Sequence, residues 1–456
     1  MPGKNEKGMY DHYFTLLESY RKKYGKVILF YQCGSFLEVY GLYDDKTKKF
    51  VEEFNDSNNL SLITDVHVSL KSNQRYKDKV ISMAGYPLAT PLVKYIPKLI
   101  EQGWTVPVWK QTEQKKNSSR YEYNIFSAGT SWLNNNNNNL SNCFTICWLE
   151  QFPSDCESKL PYLYCGLANI DIYTGKSNLF QFKYSNNKLH NVNAYEDIER
   201  FNSIYKAREI IFIHNYQEES YVKDIIQWSN LSPNKLHIIS MIDQDNEYHK
   251  QIESCQKQVY IKDIFRDFFP KYDFNQLMRS TTLEYYPFAQ YSFCFLLNFV
   301  KQCNCLLTKN LHTPVVETID DKLLLATHSL KQLNIINVDS LKNNTSSVCS
   351  LINKTCTSMG KRRFYQNLTH PSCDIELLNK EYDMIDYILQ NDDFIDIRSS
   401  LVNIKDIEKL YRKTIHLTAK PYEISNFYNN LIVIEQIKDI IISDNTFKQY
   451  VNSICN

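Results

Sequence analysis

The chain has 456 residues, 43% of them hydrophobic and 23% charged, with a formal net charge of +1. That length accommodates about three domains, and that apolar content is ordinary for a globular protein that buries real cores. The near-zero charge excludes a polycation gripping nucleic acid over its whole surface, so any such contact rests on local basic clusters at 71–79, 110–120 and 361–363.

Tyr10, Tyr13, Phe14, Leu17 and Tyr20 recur at helical spacing, and Gly25 is placed to end that helix. Residues 27–32 read as a buried strand and residues 36–40 as a second one after a turn at Gly34. Residues 44–78 are polar and basic, and are expected to be loop with little regular structure. Residues 80–83 read as a short strand running into a turn at Ala84-Gly85-Tyr86-Pro87. Pro91 suits the first turn of a helix carrying Leu92, Tyr95, Leu99 and Ile100, ended by Gly103 and followed by a strand over 104–109. These elements make an α/β unit over residues 1–126.

Six consecutive asparagines, 134–139, form a low-complexity insertion expected in a surface loop. A second α/β unit follows over 140–243. Residues 143–149, 162–173 and 179–182 read as antiparallel strands with a turn at Thr174-Gly175, and helices then alternate with strands at 209–213 and 236–239. Strands first and then β-α-β-α-β indicate a ribonuclease H-like sheet. From residue 255 to 456 the periodicity is helical, over 283–304, 341–367, 375–390, 403–414 and 421–441.

The 13 cysteines include no C-x-x-C pair, and Cys303 and Cys305 lie too close for a zinc knuckle. They read as reduced thiols of an intracellular protein. The N-terminus is too polar for a secretory signal, and the apolar run 293–300 is too short to span a bilayer, so no membrane role is expected. His67, His328 and His370 form no ligand spacing, and no metal site is expected.

Phe36 and Glu38 stand two apart in an extended segment, which puts a ring and a carboxylate on one face. By itself a Phe-x-Glu is common, and core packing for the ring is the ordinary reading. Its surroundings change that weighting. Leu29-Phe30-Tyr31 with Gly34-Ser35-Phe36-Leu37-Glu38 resembles the mismatch-reading segment of the MutS family of DNA mismatch-repair proteins. Met83-Ala84-Gly85-Tyr86-Pro87, Ser127-Ala128-Gly129-Thr130 and Ala168-Asn169-Ile170-Asp171-Ile172-Tyr173-Thr174-Gly175 resemble later motifs of that family, in the same order. So do Thr355 with Met359-Gly360, Asp406-Ile407-Glu408-Lys409-Leu410 and Thr418-Ala419-Lys420-Pro421. Ser35 and Leu37 depart from the usual acidic and aromatic residues. With the Asn/Tyr/Ile-rich usage, they resemble the branch found in giant DNA viruses and octocoral mitochondria. That branch implies a viral factory or host cytoplasm, and otherwise a mitochondrion or nucleus.

The resemblance implies an N-terminal mismatch-binding domain, a connector and a partial helical core or lever domain. It implies that Phe36 wedges at a mispair or small loop in double-stranded DNA while Glu38 hydrogen-bonds a displaced base. A mispair lowers the unstacking cost because pairing is already lost. A carboxylate beside phosphates is a penalty on an intact duplex, which favours discrimination. Lys71, Arg75 and Arg120 would meet backbone phosphate.

Whole MutS proteins carry a clamp and an ATPase that uses ATP and magnesium. The only Gly-Lys-Ser here, Gly175-Lys176-Ser177, has Ile170 where a Walker A loop needs its first glycine. The chain is therefore expected to hold no cofactor and hydrolyse no ATP. It is expected to pair with a second MutS-like chain or a separately encoded C-terminal half. Two other classes remain open: a non-catalytic scaffold with an inert DNA-reading face, and a nuclease built on Asp171. Two-metal catalysis needs several converging carboxylates, and only one positioned acid is evident, so a turn role is expected for Asp171.

Overall fold

The computed structural model describes residues 4–88, 90–113, 118–132, 141–152, 162–185, 192–317, 323, 325, 327–336, 346–390 and 393–455. The asparagine tract and residues 341–345 of the expected 341–367 helix lie outside them. Helix α1 (Lys4–Tyr24) ends where Gly25 takes a left-handed φ of 71°. Strands β1 (Phe30–Cys33), β2 (Phe36–Asp44) and β3 (Lys49–Phe50) follow, then α2 (Asp56–Thr64), β4 (Ser69–Tyr76) and β5 (Lys79–Pro87). A π-turn over Pro91–Tyr95 leads into α3 (Ile96–Glu101), β6 (Val106–Gln111) and β7 (Arg120–Phe126).

These strands form one sheet in the order β4-β5-β2-β1-β6-β7, with β3 beside β2 and only β1–β6 parallel. The run 28–31 is apolar at every position because the sheet is covered on both faces. Ile28, Phe30, Leu37 and Val39 pack with Leu60 of α2 and Ile96 and Leu99 of α3. Leu29, Tyr31, Tyr40 and Leu42 face Tyr10, Tyr13, Phe14 and Leu17 of α1. The buried Tyr13 hydroxyl donates to the Leu29 carbonyl at 3.0 Å and accepts from the Tyr40 amide at 3.1 Å. It thereby fastens helix to sheet without leaving a polar group unpaired.

Two local expectations are corrected, and one strand is found where none was expected. Residues 44–78 are not loop: they hold β3, α2 and the edge strand β4, whose polar sequence suits a strand paired on one side only. Ala84 to Pro87 is not a turn but the end of β5, paired with β2 down to Phe36↔Pro87. The basic cluster at 110–120 ends in β7, a strand that its polar composition conceals.

The second sheet contains β8 (Cys143–Phe152), β9 (Tyr162–Asp171), β10 (Ser177–Ser185), β11 (Glu209–His214), β12 (Lys235–Ser240) and β13 (Val315–Val316), with α4 (Val192–Tyr205) and α5 (Glu219–Trp228) between strands. Its order is β12-β11-β8-β9-β10-β13; β8, β9 and β10 form an antiparallel meander, and β11 and β12 run parallel to β8. Helices α4 and α5 cover one face. The other is covered by the apolar α9 (Pro287–Cys303), with α6 (His249–Cys255) and α7 (Gln258–Phe268) packed on it and α8 (Phe274–Ser280) beside α7. A Cβ on Gly166 of β9 would come within 2.1 Å of the Phe288 carbonyl, so glycine is what lets α9 approach. Residues 255–303, helical as their periodicity requires, thus pack on the second sheet. Tyr24 of α1 meets Phe299 of α9 at 6.1 Å, joining the two units through one core.

The remaining helices are α10 (Thr327–Gln332), α11 (Val348–Ile352), α12 (Ser358–Thr369), α13 (Ile375–Gln390), α14 (Asp393–Val402), α15 (Ile407–Ile415), α16 (Pro421–Ser443) and α17 (Asn445–Cys455). No helix among the described residues is long and apolar enough to cross a membrane. The chain is therefore mixed α/β followed by a helical region, as its patterning indicates.

Candidate nucleic-acid interface

The β1–β2 turn is held from three sides. Gly34 adopts a left-handed φ of 61°, a conformation open to glycine without strain. Its amide donates to Gln111 Oε1 at 2.9 Å, and its carbonyl accepts from Gln32 Nε2 at 2.9 Å. The Gln111 amide in turn donates to Gln32 Oε1 at 2.9 Å, and Leu88 N donates to the Ser35 carbonyl at 2.9 Å. Phe36 opens β2 from this fixed turn with 44% of its surface exposed, while Leu37 and Val39 on the opposite face are fully buried. An aromatic ring left open beside a rigid turn is an unpacked contact surface.

Glu38 shares the Phe36 face and stands opposite Tyr31 on β1 and Gly85 on β5. A Cβ at Gly85 would lie 3.1 Å from Glu38 Cγ, so the bare backbone gives the carboxylate stem its room. The Tyr40 hydroxyl donates to Glu38 Oε2 at 2.5 Å, and Lys71 Nζ stands 3.7 Å from the same oxygen. Burial, with Cys33 and Glu38 adding to it, holds the Tyr40 hydroxyl well above its ordinary pKa, so it remains a donor. Among the described residues none donates to Oε1. The result is a carboxylate oriented by one oxygen and without a donor on the other, on a side chain 14% exposed.

The basic residues divide. Lys71 reaches this face, pairing with Glu38 and lying 5.3 Å from the Tyr40 ring centroid. Arg120 braces the turn from behind: its Nε donates to the Gln32 carbonyl at 2.9 Å and its guanidinium lies 4.6 Å from the Tyr31 ring centroid. One terminal nitrogen lies 3.7 Å from both Cys33 Sγ and Met9 Sδ. Arg75 is elsewhere. It pairs across from Val80, whereas Lys71 pairs across from Ile81, and the register shift between them puts the two side chains on opposite faces of the sheet. Arg75 is there held by Asp45 at 2.5 Å. Phe36, Glu38, Lys71 and Arg120 are therefore brought together and Arg75 is not. Sequence reasoning missed Tyr40, whose same-face position two residues beyond Glu38 was a usable signal. It also missed Gln32 and Gln111, which carry none.

Comparison with known proteins bears on the whole chain. Residues 7–132 match MutS domain I, and residues 328–454 match MutS domain III. A MutS homolog of Acanthamoeba polyphaga mimivirus, named for DNA mismatch repair, is 26% identical over 97% of this chain and 41% of its own length. The chain belongs to the MutS family. The DNA mismatch repair protein MutS of Caldanaerobacter subterraneus is 21% identical over 93% of the chain, and that of Clostridioides difficile is 22% identical over 95%. The chain spans about two fifths of the length of these curated relatives, 40–44%.

The stretch matching MutS domain I runs from α1 to just past β7 and contains the whole Phe36–Glu38 face. Near its end at residue 132 stand Ser127 and Gly129, which bind the fully buried Glu209 at the head of β11. Gly129 N donates to Oε2 at 2.8 Å, the Ser127 hydroxyl donates to the same oxygen, and His237 Nε2 meets Oε1 at 2.7 Å. A Cβ on Gly129 would stand 2.8 Å from both Glu209 Cβ and the Phe144 ring, so this MutS motif is a close-packed joint between the two sheets.

Asp171 of this MutS chain is a turn acid. Its Oδ1 accepts from the amides of Asn142 at 2.9 Å and Tyr173 at 3.1 Å, and its Oδ2 from the Thr174 hydroxyl at 2.9 Å. Among the described residues no cluster of three or more His, Cys, Asp or Glu could hold a metal ion. Gly175, at φ 75°, completes the β9–β10 turn, and Lys176 pairs with Glu408 at 2.6 Å. Gly175-Lys176-Ser177 is thus a hairpin turn in geometry as in pattern.

Proposed function

We propose that this chain reads mispairs and small loops in double-stranded DNA as part of mismatch repair. Phe36 wedges beside the mispaired base and Glu38 hydrogen-bonds the displaced one. The observation that carries this reading is the half-exposed Phe36 ring on a turn fixed by Gln32, Gln111 and Leu88, with the Glu38 carboxylate on the same face and one of its oxygens without a donor among the described residues. Lys71 serves as the phosphate contact nearest the wedge, and Arg120 supports the turn.

Three working units follow. The mismatch reader is residues 1–126, and the connector begins near residue 140. Its β10-β9-β8-β11-β12 order supports the ribonuclease H-like reading, and α6–α9 belong with it by packing. The helical core or lever portion is the region that follows. The chain's own residues supply binding and positioning; ATP chemistry is assigned to none of them. A second MutS-like chain, or a separate C-terminal half, is the protein partner.

The test is a duplex carrying 2-aminopurine beside a single unpaired thymine. Binding raises its fluorescence if the step is unstacked, and Phe36→Ala abolishes the rise. An inert scaffold leaves the fluorescence flat in both proteins, and that result would reject the reading.

A further inference from the structure

A cleft of about 740 Å³ lies between the ends of β8, β9 and β11 and helix α12. Small-ligand sites span about 300–1,000 Å³, so the cleft is of a size to hold one and too small for a duplex. Five cationic side chains line it, Lys176, Lys206, Arg208, Arg362 and Arg363, against the carboxylates of Asp171 and Glu408. Both acids are engaged within the fold. Asp171 caps its turn, and Glu408 takes Lys176 and Arg362 at 2.6 Å each. Arg362 is held further by Asp406 at 2.6 Å.

The other three cations are uncompensated. Arg208 and Arg363 make no side-chain hydrogen bond or ion pair with any described residue, and Lys206 has only the face of Tyr365, 4.7 Å from its Nζ. They come from both walls. Lys206 and Arg208 precede β11, whereas Arg363 and Tyr365 belong to α12. Arg208 is fixed through its backbone, its amide donating to the Cys143 carbonyl at 3.0 Å and its carbonyl accepting from Lys235 N at 3.1 Å. The Tyr365 hydroxyl is buried and has no hydrogen-bond partner. Lys206 and Arg363 are exposed at the mouth of the cleft and Arg208 is half-buried, and guanidinium forks match phosphate oxygens two at a time.

We propose that this cleft binds a small phosphate-bearing ligand with at least two phosphates, bridging the second sheet and α12. An anion of that kind answers unpaired cations on both walls at once. Bound there, it ties the connector to the helical region and stabilises their junction by mass action. The proposal is independent of the Phe36 face.

The experiment is calorimetric titration of the 456-residue chain with inorganic pyrophosphate and, separately, with ADP. Both are run without magnesium, at constant ionic strength made up with chloride, and alongside thermal melts. Saturable one-to-one binding with a raised melting temperature is expected. Arg208→Ala and Arg363→Ala should each weaken it about tenfold, the loss of a charge-assisted hydrogen bond. Arg208→Lys should retain part of it, and Phe36→Ala all of it. Equal affinity for the two probes supports recognition of phosphate alone, and tighter ADP binding supports a nucleoside contribution. The proposal fails if neither probe saturates. It fails too if the double Arg208→Ala/Arg363→Ala variant, melting as the parent does without ligand, binds unchanged. Displacement of pyrophosphate by a matched duplex would overturn it in favour of nucleic-acid backbone.

Discussion

Replacing Phe36 by alanine separates reading from folding, because the ring is 44% exposed and its turn is held by other residues. A fully buried large apolar side chain contributes about 1.5–3 kcal/mol, so removing a ring already half in water costs about 1 kcal/mol of stability. Gln32, Gln111 and the Leu88 amide still fix Gly34 and Ser35. Stacking of a base on an aromatic side chain is worth about 1–3 kcal/mol, and its loss weakens mismatch binding about 5- to 150-fold. Affinity for matched DNA, where no base is wedged, stays constant. The assay is fluorescence anisotropy on duplexes that differ by one unpaired thymine, at one fixed salt concentration because phosphate contacts are salt-dependent. The reasoning is refuted if Phe36→Ala, melting near the parent temperature, keeps its mismatch preference. It is refuted equally if both affinities fall in parallel.

Four further outcomes are expected. Glu38→Gln removes a charge that repels phosphate, so matched duplex binds more tightly and the mismatch-to-matched ratio falls about five-fold, roughly 1 kcal/mol; an unchanged ratio counts against the role of Glu38. Lys71→Met weakens both duplexes alike and reduces the slope of log K against log salt by about 0.9, the signature of one lost phosphate contact; an unaltered slope removes Lys71 from the interface. Glu209→Ala strands the His237 ring, the Ser127 hydroxyl and the Gly129 amide at the joint between the sheets, costing about 3–5 kcal/mol in urea unfolding; a loss under 1 kcal/mol shows the joint to be dispensable. Burial and the neighbouring Arg412 hold His416 at about 4, below its ordinary 6.5; its share of stability is therefore complete above pH 6.5 and lost as pH falls toward 4, by about 3 kcal/mol, and His416→Leu should flatten that part of the profile.

The sequence was most legible where one physical signal dominates. Apolar periodicity located α1, α3, β8, α9, α13 and α16, and Gly25, Gly34, Gly103 and Gly175 all occupy the left-handed turns their positions require. Legibility failed for edge strands, because β4 and β7 pair with a neighbour on one side only and need little apolar character. It failed for the end of β5, where Ala84-Gly85-Tyr86-Pro87 has turn composition. Gly85 serves there to let Glu38 pass, and Pro87 comes at the strand's last position. Burial by distant segments also left no local trace, as with α6–α9, whose helical pattern does not say which sheet they cover. At the site, the ring and acid could be read from their spacing. The separation of Arg75 from Lys71 could not, because it depends on a register shift in the β4–β5 ladder between those two residues.

A side chain that bends DNA has to be stiffer than the step it opens, and unstacking one step costs a few kcal/mol. On the proposed function, the Phe36 tip would meet that requirement through residues that need not touch DNA. Three hydrogen bonds link Gln32, Gly34 and Gln111, one between the two glutamines and one from each to the turn glycine, and Arg120 closes over Tyr31. On the same face α1 presses Tyr10 and Tyr13 against Tyr40, at 5.1 and 4.9 Å, and its far end meets α9 through Tyr24 and Phe299. The strands that carry the tip are thus seated, through Leu29, Tyr31 and Tyr40, on a core continuous with the second sheet, while the ring itself stands clear of it. Glu38 is governed by the same economy of motion. Tyr40 and Lys71 hold one carboxylate oxygen, so on the proposed function a displaced base would meet an oriented acceptor that binding does not have to order.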